Sequence, residues 1–153
     1  MSFASPALAA PAARNGDGVL GISPALVSVG SANNAFAFSF RNGKRGNFNA
    51  GSQWTVTVPA GWIAPQTVDP AGPGYVAVAS TSGVATASIL SVAGSGPWIV
   101  MVDFTASKGV ANGFDLGYVD VAAPAATGTC AFASQSRQSG GTLTDLAASP
   151  TVS

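Results

Sequence analysis

Glycine and proline interrupt this chain too often for an ordinary helix. They account for 19 and 10 of its 153 residues, and no stretch longer than about ten residues carries an unbroken helical period. What survives between the interruptions is alternation. Phe36, Phe38 and Phe40 alternate with Ala35, Ala37 and Ser39, and Trp54, Val56 and Val58 with Gln53, Thr55 and Thr57. Trp98, Val100, Val102 and Phe104 alternate with Ile99, Met101 and Asp103. Phe114, Leu116 and Tyr118 do the same with Asp115 and Gly117. A period of two is the mark of a half-buried strand.

Shorter or weaker strands are expected at Val19–Ser23, Tyr75–Ser80, Val84–Val92, Thr129–Ser134 and Pro150–Ser153, with Leu26–Val29 extended. The total is about eight or nine short strands. A closed barrel would need similar alternation on every strand. The uneven strands and long crossing loops predict an all-β fold instead, a two-sheet immunoglobulin-like sandwich with Greek-key connections. Residues 17–153 form this single domain, a length within the normal range. Residues 1–16 read as a leader-like Ala/Pro segment. Ala7-Leu8-Ala9 and Ala10-Pro11-Ala12 have the small-x-small form of a signal-peptidase site, and the first base is Arg14. The segment is read as a signal-peptide remnant, or else as a floppy leader.

Charge narrows the partners. Charged residues are 8% of the chain and the net charge is zero, against about 25% charged in ordinary domains. No bulk field steers the chain to nucleic acid or an anionic membrane. No apolar run approaches the roughly 20 residues of a membrane helix. Cys130 is the single cysteine, so it has no intrachain partner, and its place in an alternating strand predicts a buried thiol.

The inventory of reactive groups argues against an enzyme. Without histidine there is no Ser-His-Asp or Cys-His arrangement and no imidazole ligand. All six acids are aspartates, scattered without the spacing of a calcium loop. No cofactor is expected. Two binding features stand out. Arg41, Lys44 and Arg45 crowd a Gly/Asn-rich stretch and suit either an anionic polymer or a solvated hairpin tip that adds little stability. Trp62, past Pro59, is either a glycan platform together with Tyr75 or a lid over the open end of the sandwich.

Several segments carry a family resemblance. Gln53-Trp54-Thr55-Val56-Thr57-Val58-Pro59-Ala60-Gly61-Trp62, followed by Pro65 and by Gly74-Tyr75-Val76, resembles the Val-Pro-x-Gly-Trp region of a bacterial extracellular immunoglobulin-like repeat domain. Thr127-Gly128-Thr129-Cys130-Ala131-Phe132, Ser139-Gly140-Gly141-Thr142-Leu143 and Ser149-Pro150-Thr151-Val152 resemble its later strands. The likeness runs from about Gly18 to Ser153. It departs at Phe114–Val119, where the family often carries a Tyr-Gly pair. The resemblance implies a structural or adhesive module, extracellular or on the cell surface. Its partners would be other surface-protein domains or a cell-wall or extracellular polymer. It supplies no catalytic residues. A carbohydrate-binding module and a filament subunit that self-associates by donating its N-terminal strand remain the alternatives.

Overall fold

The computed structural model describes residues 15–43, 48–84, 86–105 and 109–153. The leader residues 1–14 and the cations Lys44, Arg45 and Lys108 lie outside that set. Asn15 and Gly16, at the end of the leader-like segment, are tied to the domain: Gly16 N donates to the Ser136 carbonyl at 3.0 Å, and Asn15 Oδ1 accepts from Gln138 N at 3.1 Å.

The described residues are all-β. In chain order the strands are β1 (Val19–Ser23), β2 (Asn34–Arg41), β3 (Ser52–Val58), β4 (Tyr75–Ser82), β5 (Thr86–Gly94) and β6 (Trp98–Thr105). They continue with β7 (Gly113–Val121), β8 (Cys130–Ala131), β9 (Ser134–Arg137), β10 (Thr144–Asp145) and β11 (Thr151–Val152). Eleven strands thus stand among the described residues where about eight or nine were expected: the Thr129–Ser134 segment divides between β8 and β9, and the two-residue β10 is too short to show a period. Leu26–Val29 forms no strand, although Val27 N donates to the Ser153 carbonyl.

The strands build a four-stranded sheet, β1-β2-β7-β4, a five-stranded sheet, β10-β9-β3-β6-β5, and the small pair β11-β8. Their pairings are antiparallel. In the lettering of an immunoglobulin constant-type sandwich, β1, β2, β7 and β4 take the places A, B, E and D, and β10, β9 and β3 take G, F and C. The hairpin β5–β6 is an insertion between D and E that extends the second sheet on the free side of β3. The expected two-sheet sandwich therefore forms, with the chain repeatedly crossing between sheets.

The core is a run of aromatic rings. At one end Phe40 meets Phe48, Trp54, Phe104 and Phe114 at centroid distances of 6.1, 5.8, 5.8 and 5.3 Å. Phe38 links the middle, near Tyr118 and Phe132. At the other end Trp62 stands edge-on to Phe36 and Phe132, each at 5.3 Å. Edge-to-face pairs place the positive ring edge against the negative face and add to simple burial. Gly113 lets the first cluster close: a Cβ there would fall 1.9 Å from the Phe40 carbonyl oxygen.

Two readings of side-chain direction need correction. Alternation with Trp54 and Val56 implies an outward face for Gln53 and Thr55, yet both are buried. β3 is interior to its sheet, and its outer face is covered by longer neighbours: Gln53 lies opposite Asp103 and Arg137, and Arg137 Nε donates to Gln53 Oε1 at 2.9 Å. Sharing a phase with Val100, Val102 and Phe104 implies a core position for Trp98, which instead is half-buried, packed against the core. It opens β6 opposite Val58 and Gly94, at the end of the sheet.

Both long outer strands break register midway. On β4 the pairing with β7 slips between Val78 and Ser80, leaving Ala79 as the extra residue. On β5 the pairing with β6 slips between Ile89 and Ser91, leaving Leu90.

Candidate functional site

The sandwich offers two places where chemistry gathers. The first is the Arg41 end. Arg41 closes β2 rather than standing in the loop that follows. Its Nη2 meets Asp115 Oδ1 at 2.6 Å, and its Nη1 donates to the Phe40 and Phe114 carbonyls, each at 2.9 Å. Asp115 Oδ2 accepts from Ser80 Oγ at 2.7 Å. Arg41 is thus occupied inside the domain. Whether Lys44 and Arg45 join it lies outside the described residues.

Asp115 shows what this arrangement does to a proton. Burial pushes its carboxyl up, but hydrogen bonds from Ser80, Ser39 and Arg41 and the guanidinium charge outweigh that, holding the group below its ordinary value. A depressed folded pKa means stability that is present above the unfolded pKa and lost as pH falls through the folded one. Asp115→Asn should therefore cost stability at neutral pH, by less than about 1 kcal/mol for a pair this exposed. The gap to the parent should shrink in acid. Thermal melts from roughly pH 2 to 7 check this, spanning the carboxylate range. A gap that stays constant or widens in acid would contradict the assignment.

The second place is the opposite end of the sandwich. The connection after β3 folds back on itself there. Gln66 Oε1 accepts from the amides of Val68 and Asp69, at 2.7 and 2.8 Å. Gly74, at φ +77°, passes so near the Ala64 carbonyl that a Cβ would fall 2.3 Å from its oxygen. The Tyr118 hydroxyl, driven above its usual pKa by burial, donates to the Ile63 carbonyl and pins the neighbour of Trp62. Trp62 is consequently fixed in the core at 4% exposure.

That burial decides how Trp62 is used. A sugar platform needs an exposed ring face, and this ring is packed. Tyr75 is half-buried and precedes the inward Val76 on β4, so alternation turns it to the outer side of the sheet.

Trp62 instead forms part of the wall of a cleft of about 270 Å³. Val27, Val29, Pro124, Cys130 and Val152 line it with Trp62. Cys130, expected to be buried, is half-buried here. The reason is local: its strand β8 has two residues and pairs with β11 at the end of the fold. Among the described residues no group of three or more His, Cys, Asp or Glu side chains comes together, and no helix is long and apolar enough to cross a membrane. The chain matches no protein-family model, and no curated protein matches its sequence.

Proposed function

We propose that this chain is a non-catalytic structural or adhesive module of a secreted or cell-surface bacterial protein. The observation that carries the reading is a two-sheet sandwich held together by a continuous aromatic core, a self-contained unit of the kind that suits a spacer or one module of an array. The sequence resemblance to extracellular repeat domains supports the same reading, and the aromatic side chains are mostly spent on cohesion. Partners would be neighbouring modules or an extracellular polymer.

Fractionation tests this. Cells producing the full protein are treated with an impermeant protease, and the module is followed by antibody. The expected result is recovery in the medium or loss from the intact cell surface. Retention in the cytosol, protected until lysis, would overturn the reading.

A further inference from the structure

The connection between β3 and β4 carries the one Asp-Pro pair of the chain, Asp69-Pro70, and both residues are exposed. An aspartate before proline holds its own means of scission. Its carboxyl oxygen reaches its own backbone carbonyl carbon through a five-membered ring, so the attack is intramolecular and needs no encounter. Proline supplies a tertiary amide with no N–H as the bond to be broken. The surroundings of that carbonyl decide how readily the bond yields.

The Asp69 carbonyl oxygen accepts two hydrogen bonds, from Gln66 Nε2 at 2.8 Å and from Gly72 N at 3.0 Å. Both lie within the roughly 2.7–3.1 Å at which fixed donors stabilise a developing oxyanion. Gln66 is itself held in place. Its amide donates to the Gly74 carbonyl at 3.0 Å, its carbonyl accepts from Val76 N at 2.9 Å, and its Oε1 takes the amides of Val68 and Asp69. The donor is thus anchored to the start of β4. The carboxyl is tethered as well: Ala71 N donates to Asp69 Oδ1 at 3.0 Å. Gly72 leaves it room, since a Cβ there would fall 2.8 Å from Oδ2.

We propose that the Asp69–Pro70 bond is a self-cleavage site, at which the folded loop speeds scission of its own chain. An Asp69 carboxyl oxygen adds to the Asp69 carbonyl carbon, and Gln66 Nε2 and Gly72 N meet the charge that gathers on the carbonyl oxygen. The bond to the Pro70 nitrogen then breaks. That nitrogen takes the proton the carboxyl gives up and leaves as a secondary amine, while Asp69 closes as a cyclic anhydride. Water opens the anhydride to a new C-terminus, and only water is consumed. The step happens once, on the chain itself, and stands independently of the structural reading above. It leaves β1–β3 on one piece and β4–β11 on the other. The pairings β2–β7, β3–β6 and β3–β9 span the cut and hold the pieces together.

The test incubates the whole folded chain in weakly acidic buffer and follows intact mass. Two fragments should accumulate, one ending at Asp69 and one beginning at Pro70, with masses that sum to the parent plus one water. With methoxyamine present, a nucleophile that stays largely unprotonated in weak acid, part of the first fragment should carry it as an amide, the mark of the anhydride. The folded chain should be cut at least about fivefold faster than the same chain in urea, the worth of one ordinary hydrogen bond to the carbonyl. Gln66→Glu keeps the acceptor oxygen and removes the N–H donor, and should slow the folded chain by about the same factor. Asp69→Ala should stay whole. An intact parent, a folded chain cut no faster than the unfolded one, or cutting of Asp69→Ala at the same bond overturns the site. Absence of the methoxyamine adduct overturns the anhydride, and a Gln66→Glu chain cut as fast as the parent overturns the role of Gln66. Should Gln66→Glu fail to fold, the comparison of folded and unfolded parent still decides whether the loop speeds the reaction.

Discussion

Replacing Phe40 by alanine is expected to remove about 3–5 kcal/mol of stability, the usual cost of deleting a large ring from a core. Phe40 is 0% exposed and touches four other rings. Those rings come from β3, β6, β7 and the segment holding Phe48, so they span both sheets. Collapse into the vacated space would require the sheets themselves to approach, and their spacing is set by every other pair in the core. A domain holds only about 5–15 kcal/mol in total, so the variant should be near unfolding at moderate temperature. Urea denaturation measures the loss. A change below about 1 kcal/mol, within the range of ordinary surface substitutions, would mean that the Phe40 cluster is not the centre of cohesion.

Ending the chain at Ala148 is the second large effect. β11 would vanish, and with it the pairing of Thr151 and Val152 with Ala131 and Cys130. Val152, 1% exposed, turns inward while Thr151 faces out, as the alternation after Pro150 predicts. Losing its burial alone costs about 1.5–3 kcal/mol. Three backbone bonds go too: Phe132 N loses the Pro150 carbonyl, Val27 N loses that of Ser153, and the Ala25 carbonyl loses the Ser153 amide. The cleft loses a wall. A lower melting temperature and light scattering on heating are the expected readouts. A truncated chain that melts with the parent would show that the last strand is ornamental.

Much of the fold was legible because alternation is a strong signal wherever one strand face meets the core. Phe36, Phe38, Trp54, Val56, Val100, Phe104, Leu116 and Tyr118 all lie inside as their phase requires. Period alone says which residues share a face, and it does not say whether the other face is covered. That is why Gln53 and Thr55 were misassigned. Phe48 is 1% exposed and joins the Phe40 cluster, yet it sits alone between Asn47 and Asn49, with no neighbours to set a phase. The cleft was harder still. Val27, Trp62, Cys130 and Val152 come from four distant segments, and no local pattern announces their meeting. The unpartnered indole has no sequence signature either. Trp54 stands in an alternating strand and Trp62 past Pro59, but neither setting says which indole finds a partner: Trp54 Nε1 has Ser134, and Trp62 Nε1 has none among the described residues.

A chain with 8% charged residues has little repulsion to keep its copies apart. Its longest outer strands, Tyr75–Ser82 and Thr86–Gly94, contain neither lysine nor proline, the residues that commonly blunt an open edge. The irregularities at Ala79 and Leu90 take over that duty by geometry. A strand whose repeat slips by one residue midway cannot present a continuous row of donors and acceptors, and an approaching strand in register with one half is out of register with the other. Each interrupted edge is therefore a shorter template for a further strand than an unbroken one would be. What interrupts these two edges is the spacing of the backbone rather than charge.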